Sequence, residues 1–123
     1  MAKVLVVDDE FGIGEVLSAI LEDDGHEAIL AINGRQALER LAEETVDLIL
    51  TDFMMPDIDG PGLVRAVLAD DRLAGIPVVI MSSLPEARVA AAVQGHVAFL
   101  RKPFRVDAVS ALIEGVLKSA RRG

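Results

Sequence analysis

A chain of 123 residues, 52% hydrophobic yet only 3% aromatic and without Trp or Tyr, suffices for one domain whose core must be built from Ala, Val, Leu and Ile. Twelve basic against twenty acidic residues leave a net charge of −8, which repels nucleic-acid backbones and anionic membranes, so direct binding to either is not expected. The lack of cysteine excludes disulfides and thiolate metal sites, and the lack of a signal-peptide or membrane-length apolar run makes a cytoplasmic protein the expectation.

No linker, repeat or low-complexity segment breaks the chain, so 1–123 reads as a single domain. Val4–Val7 is an apolar strand that ends in Asp8 and Asp9. Ile13, Val16, Leu17, Ile20 and Leu21 follow the i, i+3, i+4, i+7, i+8 spacing of an amphipathic helix, with Gly25 as its stop. Ala28–Ile32 is the second strand, and Asn33 with Gln36 resembles a capping box that opens a helix through Ala37, Leu38 and Leu41. Val46–Thr51 is the third strand and reaches Asp52. The stretch from Met55 through Pro56 to Gly60 has loop composition and leads into a helix carrying Leu63, Val64, Val67 and Leu68.

Ile76–Met81, almost uninterrupted apolar, reads as a strand buried on both faces, with Ser82 at its end. Glu86–Val93 predicts a short alanine-rich helix with only Val89 and Val93 as large apolar contacts, the least firmly packed of the set. Val97–Leu100 is the fifth strand, followed closely by Lys102-Pro103. Val109, Leu112, Ile113, Val116 and Leu117 mark the last helix, before a solvated basic tail of Lys118, Arg121 and Arg122. His26 and His96 have no partner spacing for metal or catalysis and read as incidental. Five alternating βα units predict an α/β fold with a doubly wound, five-stranded parallel sheet and five helices.

Parallel strands of such a sheet deliver their carboxyl ends to one edge, where open α/β sheets bind ligands. Asp8, Asp9, Asp52, Ser82 and Lys102 would meet there. Alone, the Asp8–Asp9 pair would read as helix-capping acids, Ser82 as an ordinary strand-end hydroxyl and Lys102 as a surface lysine. With Asp52 at the same edge, Asp8 and Asp9 would make a buried or half-buried cluster of three acids, which costs on the order of several kcal/mol unless a cation or protons compensate. Oxygen donors without His or Cys favour Mg²⁺ over zinc.

Val-Leu-Val-Val-Asp-Asp-Glu at 4–10, Leu-Ile-Leu-Thr-Asp-Phe-Met-Met-Pro-Asp-Ile-Asp-Gly at 48–60, Ile-Pro-Val-Val-Ile-Met-Ser at 76–82 and Phe-Leu-Arg-Lys-Pro-Phe at 99–104 resemble the receiver domain of two-component response regulators, in order and over essentially the whole chain. The resemblance implies a flavodoxin-like strand order of 2-1-3-4-5. It implies Asp52 as the phosphorylated aspartate, charged by a phosphohistidine on a sensor histidine kinase or a histidine phosphotransfer protein. Asp8 and Asp9 match the pair that holds Mg²⁺, Asp9 the more direct ligand, with Asp52 and the Met54 backbone carbonyl completing the protein ligands. Ser82 matches the hydroxyl that turns to contact the phosphoryl group, Phe99 the aromatic switch position that reorients with it, and Lys102 the lysine that pairs with phosphoryl oxygens. A cis peptide before Pro103 is implied as well, aiming the lysine into the site.

The chain so read is a phosphorylation-controlled switch that catalyses only its own phosphorylation and dephosphorylation and then acts on a downstream partner protein, as a monomer or weak homodimer. A receiver-like interaction module without regulated phosphorylation is the alternative, although every chemical position is intact. A Mg²⁺-dependent hydrolase with an aspartyl nucleophile would need an acid two residues past Asp52, where Met54 stands. Met54 and Leu84 flank the route of water to an acyl phosphate, which predicts slow self-dephosphorylation. The segment between Ser82 and Lys102 looks slightly short and its helix weak, which predicts an unusual or mobile output surface. A stand-alone receiver and a piece of a longer regulator both fit the sequence.

Overall fold

Alternate residues of an extended chain point to opposite faces, so an unbroken apolar strand demands a covering layer on each side. A computed structural model, which describes residues 2–96 and 98–122, meets that demand with five strands and five helices in strict alternation. The elements are β1 (Lys3–Val7), α1 (Phe11–Asp23), β2 (Glu27–Ala31), α2 (Gly34–Glu43), β3 (Leu48–Asp52), α3 (Gly60–Ala69), β4 (Val78–Ser82), α4 (Glu86–Ala92), β5 (Ala98–Arg101) and α5 (Val106–Arg122). The expected first residue of the fifth strand, Val97, lies outside the described residues, as do the side chains of Arg121 and Arg122 in the basic tail.

All strand pairs are parallel and the order is β2-β1-β3-β4-β5, the flavodoxin-like arrangement. Leu5, Val7, Ile49, Val78 and Ile80 face one core layer with Ala37, Leu41, Leu63, Val64, Val67 and Val89 of α2, α3 and α4. Val4, Val6, Leu48, Leu50, Val79 and Met81 face the other, with Leu17, Ile20 and Leu21 of α1 and Val109, Ile113 and Leu117 of α5. The chain turns to opposite sides of β1 after its first and second crossovers, so the carboxyl ends of β1 and β3 flank the topological switch point.

Several boundaries differ from the sequence expectation, each for a local reason. β2 ends at Ala31 because the Ile32 N–H goes to Gln36 Oε1 (2.8 Å), while Asn33 Oδ1 accepts from Gln36 N (2.7 Å); the capping pair closes reciprocally and removes Ile32 from the ladder. β4 starts after Pro77, which has no N–H to give a ladder, and continues to Ser82 opposite Arg101. β3 likewise runs on to Asp52, opposite Met81. Asp52 and Ser82 are therefore the last ladder residues of their strands rather than the first residues of loops.

Val16 and Leu68, placed on buried helical stripes by spacing, are about half exposed (51% and 46%). In α1 the buried arc runs through Gly14, Leu17, Ile20 and Leu21, and the Leu30 side chain fills the space beside Gly14. Val89 is the one buried residue within α4, consistent with its weak pattern. His26, read as incidental from sequence, is instead a buried tie: Nδ1 accepts from Ala2 N (3.1 Å) and Nε2 lies 2.9 Å from Glu114 Oε1 on α5. Ser110 Oγ donates to Asp24 Oδ2 beside it (2.6 Å), so α5 is pinned twice to the turn after α1.

Candidate functional site

β1 hands the chain to Asp8, whose backbone N–H still bonds the Ala31 carbonyl of β2 (3.1 Å). Its side chain is buried, with Oδ1 accepting from Glu10 N (2.8 Å) at the start of α1. Oδ2 faces the sheet edge and accepts from Lys102 Nζ (3.0 Å). Asp52, also buried, accepts from Phe53 N through Oδ1 (2.9 Å), and the same oxygen lies 3.4 Å from Lys102 Nζ. One ammonium thus bridges the acids at the ends of β1 and β3. Asp9 is exposed at the rim, and one carboxylate oxygen from each of Asp8, Asp9 and Asp52 lies within 4.8 Å of the others.

Lys102 comes from the far side of the sheet, one residue past β5. Its N–H donates to the Ser82 carbonyl (2.9 Å), and the Lys102–Pro103 peptide is cis. Ser82 is buried on the same edge, with its Oγ accepting from Leu84 N (3.0 Å) in a local turn. Phe99 pairs with Ile80 in the ladder and packs, partly buried, against the layer that contains Val89. The Met54 side chain is exposed and lines, with Asp9, Met55, Pro56 and Asp59, an open cleft of about 320 Å³ at the mouth.

Burial is the main influence on Asp52 and pushes its carboxyl above the ordinary aspartate range; the Asp8 charge adds to this, and Lys102 and the Phe53 N–H offset only part of it. For Lys102 burial acts against the charged form, but the hydrogen bond to Asp8 and the charges of Asp52 and Asp8 together outweigh it and hold the ammonium above its ordinary value. Three acids facing one lysine leave the edge short of positive charge. An all-oxygen donor set at this spacing suits a hard divalent cation, so the residues fit Mg²⁺.

The structure brings Asp8, Asp9, Asp52 and Lys102 together, sets Ser82 on the same edge and places Phe99 on the adjoining strand. Sequence reasoning did not single out the backbone partners: the N–H groups of Glu10 and Phe53 that orient the two buried acids, and Gly60, whose N–H closes the loop after β3 on the Phe53 carbonyl (3.0 Å). The Asp59-Gly60 pair after Pro56 was the available sign of a constrained turn there.

An open parallel sheet of this order, with an acid cluster and a lysine at its switch point, defines a small class of α/β proteins. The chain matches the family model described as response regulator receiver domain over residues 4–114, and it belongs to that family. It is similar to response regulator Rre1 of Synechocystis, 34% identical over 118 residues, covering 94% of this chain and 51% of that protein. It is also similar to the transcriptional regulatory protein ZraR of Escherichia coli, 37% identical over 116 residues, covering 93% of this chain and 26% of that protein. The chain therefore spans about half of one relative and about a quarter of the other.

Among solved structures, a signal receiver domain of a histidine kinase from Syntrophus aciditrophicus matches with a TM-score of 0.91 at 28% identity, covering 100% of this chain and 95% of that one. The chemotaxis protein CheY4 of Vibrio cholerae matches with a TM-score of 0.86 at 31% identity, covering 94% and 98%. Among the described residues no helix is long and apolar enough to cross a membrane.

Proposed function

We propose that this receiver accepts a phosphoryl group on Asp52 from the phosphohistidine of a sensor histidine kinase or a histidine phosphotransfer protein, in a Mg²⁺-dependent step. The observation that carries the reading is the meeting of three carboxylates within 4.8 Å, two of them bridged by Lys102 Nζ.

Phe53 N–H and Lys102 hold Asp52 Oδ1, which leaves the other carboxylate oxygen to attack phosphorus. The new O–P bond forms as the P–N bond to histidine breaks, and the imidazole leaves with the bonding pair. Asp8, Asp9, Asp52 and the Met54 carbonyl would hold Mg²⁺, which supplies charge to screen the incoming phosphoryl oxygens. Asp52 must be ionised to attack, and that added charge with Lys102 counters the burial that raises its pKa.

The aspartyl phosphate carries more charge and more acceptor oxygens than Asp52. Lys102 pairs with those oxygens, and Ser82 Oγ turns from the Leu84 N–H to donate to them, with Phe99 reorienting in step. The result is a shift in a pre-existing equilibrium that changes a partner-binding face. Residues 1–123 act as one domain in the cytoplasm, as a monomer or weak homodimer, and the chain turns over nothing beyond its own phosphoryl group.

Incubation with Mg²⁺ and acetyl phosphate, followed by intact mass and by released phosphate, separates the readings. A stable single adduct supports a phosphoacceptor. No adduct supports an interaction module without regulated phosphorylation, and continuous phosphate release supports a hydrolase.

A further inference from the structure

The loop after Asp52 turns back on itself and is held at three points. A Cβ on Gly60 would stand 2.8 Å from the Asp52 carbonyl oxygen and 2.9 Å from Phe53 Cα, so glycine alone lets the two arms of the loop close this tightly. Met55 drops into the core layer beneath α2 and α3. The third point belongs to another element. A Cβ on Gly34, the first residue of α2, would stand 2.5 Å from the Ile58 carbonyl oxygen and 2.6 and 2.8 Å from Ile58 Cβ and Cγ2. Ile58 therefore rests its backbone directly on the start of α2, just after Asp57 reverses the chain at φ 66°. Met54 is the large side chain of this loop left in solvent.

We infer that Gly34 is a positioning residue for the metal: it seats Ile58, and through so short a closed loop it fixes the direction of the Met54 carbonyl, without itself touching metal or phosphoryl group. The inference rests on the Mg²⁺ reading above. The nearest of these atoms is a backbone oxygen and the other two sit at the branched root of Ile58, not at the far end of a flexible side chain, so an atom added at Gly34 must displace the loop. Mutating groups behind the ligands that hold them in place commonly costs about 10–100-fold in metal affinity.

The test is a Mg²⁺ titration of the full ¹⁵N-labelled chain, following the amides of residues 8–10 and 52–54, with thermal unfolding of the same samples. Gly34→Ala is expected to weaken Mg²⁺ binding about tenfold. Gly115→Ala, whose Cβ would meet nothing within 4 Å, is expected to bind as the unaltered chain does. Where Gly34→Ala does not fold, Ile58→Ala is expected to weaken Mg²⁺ binding in the same direction, because it removes Cγ2, one of the three atoms packed on Gly34, and so loosens the seat without inserting an atom. A folded Gly34→Ala or Ile58→Ala variant that melts earlier yet binds Mg²⁺ unchanged overturns the inference, since a merely structural role moves the melting temperature alone. An unaltered chain that binds no Mg²⁺ overturns the metal reading instead.

Discussion

Lys102 Nζ lies 3.0 Å from Asp8 Oδ2, a contact between residues 94 positions apart that draws the ends of β1 and β5 together across the central strands. The same ammonium reaches Asp52 on β3 at 3.4 Å. Charge at this edge is thereby shared among three strands, and changes in it are expected to register in stability and chemistry alike.

The pH dependence follows from the directions of the two shifts. Asp52 sits above its ordinary pKa in the folded state, so its stabilising contribution is full below that ordinary value and is lost as pH rises through the folded one. At neutral pH without Mg²⁺, Asp52→Asn should therefore melt higher than the unaltered chain, by about 1 kcal/mol in stability. The gap should close in acid, where Asp52 is protonated. Lys102 is also raised, so its pairing is fully present below the ordinary lysine pKa and is lost as pH rises through the folded value. Lys102→Met should lack that alkaline loss. Thermal melts across pH check both signs.

Asp9 is exposed, whereas Asp8 is buried and paired with Lys102, so Asp9→Asn should leave metal-free stability within about 0.5 kcal/mol. Bound Mg²⁺ at ten times its dissociation constant should stabilise the unaltered chain by about 1.4 kcal/mol, and chelation should remove the gain. Asp9→Asn should show a clearly smaller gain at the same Mg²⁺ concentration. Melting curves with and without chelator measure this.

An apolar side chain cannot orient a water for attack on an acyl phosphate, and Met54 stands exposed at the mouth while Leu84 is partly buried beside Ser82. Met54→Asn should speed decay of the phosphorylated form by about tenfold, within the usual reach of a positioned polar group. An unchanged decay rate would sink the slow-dephosphorylation reading.

The His26 tie should show in stability rather than chemistry. His26→Ala leaves the Ala2 N–H without its acceptor and opens space beside α5, a cost of about 1–3 kcal/mol. Glu114→Gln should cost far less, because that side chain is about half exposed and the amide can still accept from Nε2. Urea unfolding of both variants gives the comparison.

The alternation of elements and the convergence of Asp8, Asp9, Asp52, Ser82 and Lys102 were legible because apolar runs end where strands end. Strand limits were less so. Pro77 and the Gln36 side chain decide them through single hydrogen bonds, and apolar content does not record those. Helical spacing put Val16 inside, but Gly14 presents the closer surface to Leu30, a matter of fit between elements. His26 meets Glu114 from 88 positions away, so no local pattern announced it. Which backbone N–H groups orient the buried acids follows from how each strand turns into its loop, and side-chain chemistry does not encode that.

The most direct test of the central claim is to map the phosphoryl group by mass spectrometry after brief exposure to Mg²⁺ and acetyl phosphate. The account predicts modification at Asp52 alone, abolished in Asp52→Asn and when Mg²⁺ is chelated. A phosphoryl group on another residue, or equal labelling of Asp52→Asn, would contradict it.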